Sequence, residues 1–184
     1  MTAYAALLRG VNVGGHAKVP MAELRQVVEG LGYEGVRTYV ASGNVVFRGP
    51  AEAPGVEGSL SGEIEQGIER RFGFPVSCLV RSGAHLQAVA QANPFAEHAA
   101  EGTVVHATFL SERVLPDRLA SIRAEAFLPE RFALGDRVIY LHLPGGMGRS
   151  KLAETLARPA LFKGVVATSR NWNTVTKLVE WTSS

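Results

Sequence analysis

Two tight-turn signals, each set between short apolar runs, constrain what this chain can fold into more than any other feature. Ser42-Gly43-Asn44 separates Val36–Val40 from Val45–Phe47. Gly135-Asp136 separates Arg131–Leu134 from Arg137–Leu143. Small and polar residues between two β-favouring runs read as hairpins. A hairpin fixes two antiparallel strands, and each of these sits in the middle of the same succession of elements. In the first half, Tyr4–Leu8 reads as a strand. A helix opened by Pro20 follows, with Glu23 in its first turn and Met21, Leu24, Val27, Val28 and Leu31 as its apolar stripe. After the hairpin comes a helix capped by Ser59 or Ser61 with Leu60, Ile64, Ile68 and Phe72 on one face, then a strand at Val76–Arg81 and a short helix at Ala84–Gln91.

The second half repeats that order. It has a strand at Val104–Leu110, a helix from Pro116-Asp117 carrying Leu119, Ile122 and Ala126, the hairpin, a helix bearing Leu152 and Leu156, a strand at Val165–Thr168 and a final helix at Asn171–Trp181. Both halves thus read strand, helix, strand, strand, helix, strand, helix. The first six elements match the split βαβ arrangement, a mostly antiparallel sheet with helices packed on it. The expected fold is α+β, two ferredoxin-like repeats. The expected boundaries are a first repeat over 1–91, a connecting segment over 92–103 broken by Asn93-Pro94, and a second repeat over 104–184.

At 184 residues the chain buries enough surface to fold without metal or disulfide. Cys78 is the only cysteine, it falls in a strand pattern, and it reads as a structural thiol, so a reducing cytoplasm is expected. No stretch approaches the ~18 apolar residues of a membrane span, and the start lacks a basic leader pattern. The net charge of +2 implies no nucleic acid by itself, but from Arg131 to Ser184 there are 8 Lys or Arg against 3 Asp or Glu.

Four stretches concentrate polar chemistry where strands end. They are Arg9 to Gly15, with Asn12, Gly14 and Gly15; the Ser42–Asn44 turn; Gly145 to Lys151, with Arg149 and Ser150; and Ala167 to Leu178, with Arg170, Asn171 and Lys177. In a split βαβ sheet the first and second strands are parallel, so the first two stretches share an edge. The third and fourth strands are also parallel, so the last two share an edge. Whether the two pairs meet does not follow from sequence. Helix starts favour acidic side chains, yet Arg149 and Lys151 open one helix and Arg170 precedes another. That departure is explained by an anion seated between cation and N–H groups, or equally by pairing with acids elsewhere. Asn12 and Asn44 either orient a ligand between loops or close turns on their own backbone. Gly145–Lys151 lacks the spacing of a P-loop. Trp172 shares a helical stripe with Val175 and Val179 and reads as core. Tyr39 and Phe47 read as packing residues.

The motifs Arg9-Gly10-Val11-Asn12-Val13-Gly14-Gly15, Thr38-Tyr39 with Ser42–Phe47, Gly148–Leu152, and Arg170–Thr174 with Lys177-Leu178 resemble the bacterial family catalogued as domain of unknown function 1697. The resemblance spans essentially the whole chain. It implies a soluble bacterial protein with a duplicated α+β domain and supplies no reaction, cofactor or partner.

The five histidines show no metal-ligand spacing, although His106 and His142 both fall on strands, and neither metal nor cofactor is expected. No nucleophile elbow or carboxylate pair accompanies the loops. Three readings stand. The first is a module binding an anionic ligand, a phosphorylated small molecule or nucleic acid, through Arg9, Asn12, Gly14, Gly15, Ser42, Asn44, Arg149, Ser150, Lys151, Arg170, Asn171 and Lys177. The second is an enzyme acting on a phosphorylated small molecule. In the third, the motifs are structural and lock the repeats together.

Overall fold

A computed structural model describes residues 1–184. The fold is α+β, with two four-stranded antiparallel sheets and five α-helices. The strands are β1 (Thr2–Leu8), β2 (Glu34–Tyr39), β3 (Asn44–Gly49), β4 (Cys78–Ser82), β5 (Val105–Leu110), β6 (Arg131–Gly135), β7 (Val138–His142) and β8 (Ala167–Asn171). The helices are α1 (Met21–Gly30), α2 (Val56–Phe72), α3 (Gly83–Gln91), α4 (Lys151–Leu156) and α5 (Trp172–Thr182). The sheets run in the orders β2-β3-β1-β4 and β6-β7-β5-β8. The chain divides into two compact units, Met1–Gln87 with Lys177–Ser184, and Ala88–Thr176.

In the first unit, period-two alternation along β1 aims Tyr4, Ala6 and Leu8 at Leu24 and Val28 of α1 and Leu60, Ile64 and Ile68 of α2, all essentially sealed from solvent. Ring contacts Tyr4–Phe47 and Tyr33–Phe47 brace the open end of that core. In the second unit Leu110, Ile139 and Leu141 form the sheet side of a smaller core closed by Leu119, Leu152, Leu156 and Phe162.

Several local expectations change. Helix α2 starts at Val56, not beside Ser59 or Ser61, because Gly55 takes a left-handed φ of 81° and turns the chain into the helix there. Ser61 Oγ donates to Glu57 O and accepts from Val80 N, tying α2 to β4 instead of capping it. The helix expected after Pro116 is two 3₁₀ turns, Pro116–Leu119 and Ala124–Phe127. Arg123 takes extended backbone between them (φ −81°, ψ 97°), which ends the first run of bonds and starts the second. Strand β8 begins at Ala167, two residues late, because Val165 N donates to Phe162 O and closes a preceding 3₁₀ turn.

Candidate functional site

The parallel course of β1 and β2 brings the first two polar stretches together. Leu8 N donates to Gly43 O at 2.8 Å, so the turn after β2 is stitched to the end of β1. A Cβ at Gly43 would stand 2.7 Å from Val11 Cγ2 and 2.8 Å from Leu8 Cβ, and its φ is 84°, so only glycine fits this crossing. Asn12 does the rest of the joining. Its Nδ2 donates to Val19 O (2.9 Å) and to Ala41 O (2.7 Å), and its Oδ1 accepts from Val19 N (2.9 Å). Asn12 therefore bridges loop to turn through main-chain groups, and its amide is fully engaged. Asn44 is buried and donates to Tyr39 O and Ser42 Oγ, closing its own turn.

Buried Val11 and Val19 anchor the long loop at both ends. Between them the loop is exposed, apart from half-buried Ala17, and contorted. Positive φ occurs at Gly10, Asn12, Gly14, Gly15 and Ala17, and at Val40 on the facing turn. A β-branched residue at φ 49° is a genuine departure from allowed backbone, and such strain concentrates where a surface has a task. Inside the loop Asn12 N donates to Ala17 O and His16 N to Val13 O. The N–H groups of Gly14 and Gly15 face no acceptor of the chain. Arg9, His16 and Lys18 are exposed in the same segment, and no acidic residue precedes Glu23. The stretch singled out in the sequence, Arg9–Gly15, stops short of His16 and Lys18, and His16 enters the sequence reading only among the histidines without metal-ligand spacing.

The second pair of stretches shares a sheet end but has other partners. Ser150 Oγ accepts from Ala153 N (2.8 Å) as the cap of α4. Besides Glu154 in its own first turn, α4 receives a carboxylate from 22 residues away, as Glu130 Oε2 accepts from Leu152 N (3.1 Å). Arg149 and Lys151 stay exposed. At the start of α5, Asn171 Oδ1 accepts from Thr174 N (3.0 Å), and Gly102 O accepts from Trp172 N (2.9 Å) and Asn173 N (3.4 Å). The first-turn N–H groups that an incoming anion needs are engaged there. Arg170 is buried at 6% exposure, with Nη1 donating to Thr168 Oγ1 and to Ser169 O. Lys177 pairs with Glu180 at 2.7 Å. Trp172 is buried against Tyr140, as a core residue should be.

The histidines are placed differently from what strand assignment alone suggests. Val105 faces His142 across β5 and β7, and His106 faces Leu141, so His106 and His142 point to opposite sides of the sheet. His142 stacks instead on His98 (centroids 4.0 Å, 12° apart), with Phe95 at 5.9 Å and Arg131 bonded to His98. Burial holds the pKa of His142 below the usual histidine value, helped by His98 and Arg131; burial alone does so for His106. No group of three or more His, Cys, Asp or Glu is arranged to hold a metal ion. No helix is long and apolar enough to cross a membrane.

This chain is similar to the conserved bacterial protein SP0830 from Streptococcus pneumoniae, at 26% identity and a TM-score of 0.76 over 98% of each chain. No curated protein matches it. The model of a protein family of unknown function, DUF1697, matches residues 1–140, a span that holds the contorted loop, the first hairpin and His98 but ends inside β7, before His142, α4 and α5. With three quarters of its length under that match, the chain belongs to the DUF1697 family.

Proposed function

We propose that the protein binds a phosphate-bearing ligand at the loop that follows β1. One observation carries this reading. The loop holds two consecutive N–H groups without acceptors, at Gly14 and Gly15, in a segment that also carries exposed Arg9, His16 and Lys18, and Asn12 pins its contorted shape. Paired N–H groups beside cations are what an oxyanion needs.

The sheet orders support a finer reading of the fold, two copies of one ferredoxin-like repeat. Leu8 N binds Gly43 O, and Leu110 N binds Arg137 O at the matching place. Arg9 N binds Ser77 O, and Ser111 N binds Val166 O. Ser82 Oγ caps His85 N after β4 as Asn171 caps Thr174 N after β8. Against that match the first loop is an outlier. Twelve residues, Arg9 to Pro20, join β1 to α1, whereas five, Ser111 to Leu115, join β5 to the first 3₁₀ turn. The extra length is largely exposed, so a role in ligand binding accounts for it better than packing does.

A thermal-shift series with inorganic phosphate, sugar phosphates, nucleotides and short RNA tests the reading. A ligand that raises the melting temperature of the parent, and does so less in Arg9→Ala and Lys18→Ala, supports it. Affinity that collapses steeply with salt assigns the ligand to nucleic acid, and a shallow dependence to a small molecule. If no compound shifts the parent, or the variants respond as the parent does, the reading is wrong. For the second-half residues the structural reading is favoured, because Arg170 is buried and hydrogen-bonded and the N-termini of α4 and α5 are already capped. Arg170→Ala should then lower the melting temperature and leave every ligand response unchanged.

A further inference from the structure

In the second unit, residues 93–101 lie over the end of β7, and side chains alone hold them there. Every main-chain N–H of residues 95–101 that is bonded finds its acceptor inside the segment. Phe95 N donates to Asn93 Oδ1, His98 N to Phe95 O, Ala99 N to Ala96 O and Glu101 N to His98 O. Both ends are fixed. Ala92 N donates to Ala88 O, continuing α3, and Gly102 O accepts from Trp172 N and Asn173 N at the start of α5. The attachments between those ends converge on His142. The His98 ring lies flat on it (4.0 Å, 12°), and the buried Phe95 ring is 5.9 Å away. Arg131, opposite His142 across β6 and β7, has Nη2 3.3 Å from His98 Nε2 and 3.8 Å from Glu97 Oε1, and its guanidinium stands 5.1 Å from the Phe95 ring centre. His142 itself is 8% exposed, and its Nδ1 is sealed with no partner in the chain. A proton on that ring would be a charge in an apolar sandwich, with no acceptor for its Nδ1–H.

We infer that residues 93–101 form an acid-released strap: protonation of His142 breaks its stack with His98 and lifts the segment off β7 while both ends stay fixed. The charged and titratable groups that face His142 are His98, Glu97 and Glu101 on the strap and Arg131 on β6. Burial is the largest influence and disfavours the proton; His98 and Arg131 act the same way, and the two carboxylates act against them. The closed strap therefore holds the pKa of His142 below the ordinary histidine value. Opening returns water to the ring, so the open state takes up the proton first. The open population then rises by up to tenfold for each pH unit below about 6.5, and levels off once pH passes the closed-state pKa. Above that window the strap is shut. A segment with no main-chain bonds to the sheet beneath it can open without unfolding the rest. Its release bares the Phe95 ring beside two cations, Arg131 and protonated His142, so acid converts a closed surface into a cationic, partly apolar one.

The test is NMR hydrogen exchange on the full-length protein from pH 8 to 5, expressed as protection factors so that the intrinsic pH dependence of exchange cancels. The His98 and Ala99 amides report the strap, and the Trp172 amide, bonded to Gly102 O, reports the frame. Strap protection should be constant above pH ~6.5 and fall by up to tenfold per pH unit below it, while Trp172 stays protected. His142→Phe, which keeps a ring in the stack, and His142→Gln, which keeps a polar group, should both give strap protection that does not vary with pH. His106 points to the other side of the sheet, so His106→Gln should keep the parent's strap profile. The inference is overturned if the strap amides are unprotected at pH 8, if their protection does not change with pH, or if Trp172 loses protection in step with them. It is equally overturned if either His142 variant retains the parent's profile, or if His106→Gln flattens it.

Discussion

Replacing Asn12 by alanine should remove more stability than any other exposed substitution in the first unit. The structure supplies the terms. Three hydrogen bonds vanish, two donated by Nδ2 and one accepted by Oδ1. Val19 is fully buried, so its N–H is left without a partner in an apolar setting, at about 1–3 kcal/mol. Asn12 also sits at φ 56°, which alanine adopts at a cost of about 1 kcal/mol and asparagine tolerates. The sum is about 2–4 kcal/mol, which for a chain of this size lowers the melting temperature by roughly 5–15 °C. Asn12→Gly loses the same bonds but accepts the backbone freely, so it should be milder by about 1 kcal/mol. Because the chain has two units that need not unfold together, hydrogen exchange at the Val19 amide is the sharper assay. That amide should be protected in the parent and exchange rapidly in both variants. Asn12→Ala within about 0.5 kcal/mol of the parent, or a Val19 amide still protected, would refute the account of the loop as a shape held by one side chain.

Three further outcomes follow from the geometry. His142 and His106 have folded-state pKa values below the unfolded histidine value, so the folded state binds fewer protons in between; stability is full above pH ~6.5 and falls as pH drops through the folded pKa. His142→Phe keeps a ring between Phe95 and His98, and the charged or titratable groups facing it are His98, Arg131, Glu97 and Glu101, so urea midpoints from pH 8 to 5 should show a shallower acid limb, with the His106 share remaining. Ser150→Ala should cost about 1 kcal/mol in a denaturation midpoint through loss of the α4 cap, and Glu130→Gln less, with a salt dependence only the parent's carboxylate explains. A Cβ on Gly102 would stand 1.9 Å from Oδ1 of the exposed Asn173 side chain, which can swing aside, so Gly102→Ala should destabilise by no more than about 1 kcal/mol, and adding Asn173→Ala should recover most of it in a double-mutant cycle.

Much of the fold was legible because it rests on local rules. Hairpins at Ser42–Asn44 and Gly135-Asp136, the apolar stripes of α1, α2 and α5, and the parallel course of β1 and β2 all follow from turn chemistry and period. What escaped the sequence depends on partners far along the chain. Glu130 serves the N-terminus of α4 across 22 residues, and no pattern near Lys151 announces it. Gly102 looks like an ordinary loop glycine until the start of α5 is laid against its carbonyl. The segment after Pro116 carries helix-forming residues, yet Arg123 goes extended and leaves two 3₁₀ turns. His142 reads as a strand residue, and its stack on His98 needs the connecting segment folded back onto β7.

The division between legible and illegible also separates framework from candidate site. The same sheet order is stabilised twice by different means. The first sheet rests under α1 and the 17-residue α2, while the matching layer of the second is assembled from the six-residue α4 and short 3₁₀ turns. Once both sheets are closed, most of the polar residues at strand ends are accounted for. Asn44, Ser150 and Asn171 satisfy main-chain groups, Arg170 is buried and bonded, and Lys177 has Glu180. The remainder is small: Arg149 and Lys151 stay exposed in the second unit, and in the first Arg9 and Lys18 share a loop with the free N–H groups of Gly14 and Gly15. Stability gives no reason to hold Asn12 and Ala17 in left-handed backbone, since each such position costs free energy that a shorter connection like Ser111–Leu115 avoids. A loop that is longer, strained and exposed, yet pinned by three hydrogen bonds from one asparagine, is the part of this chain whose form packing leaves unexplained and ligand binding explains.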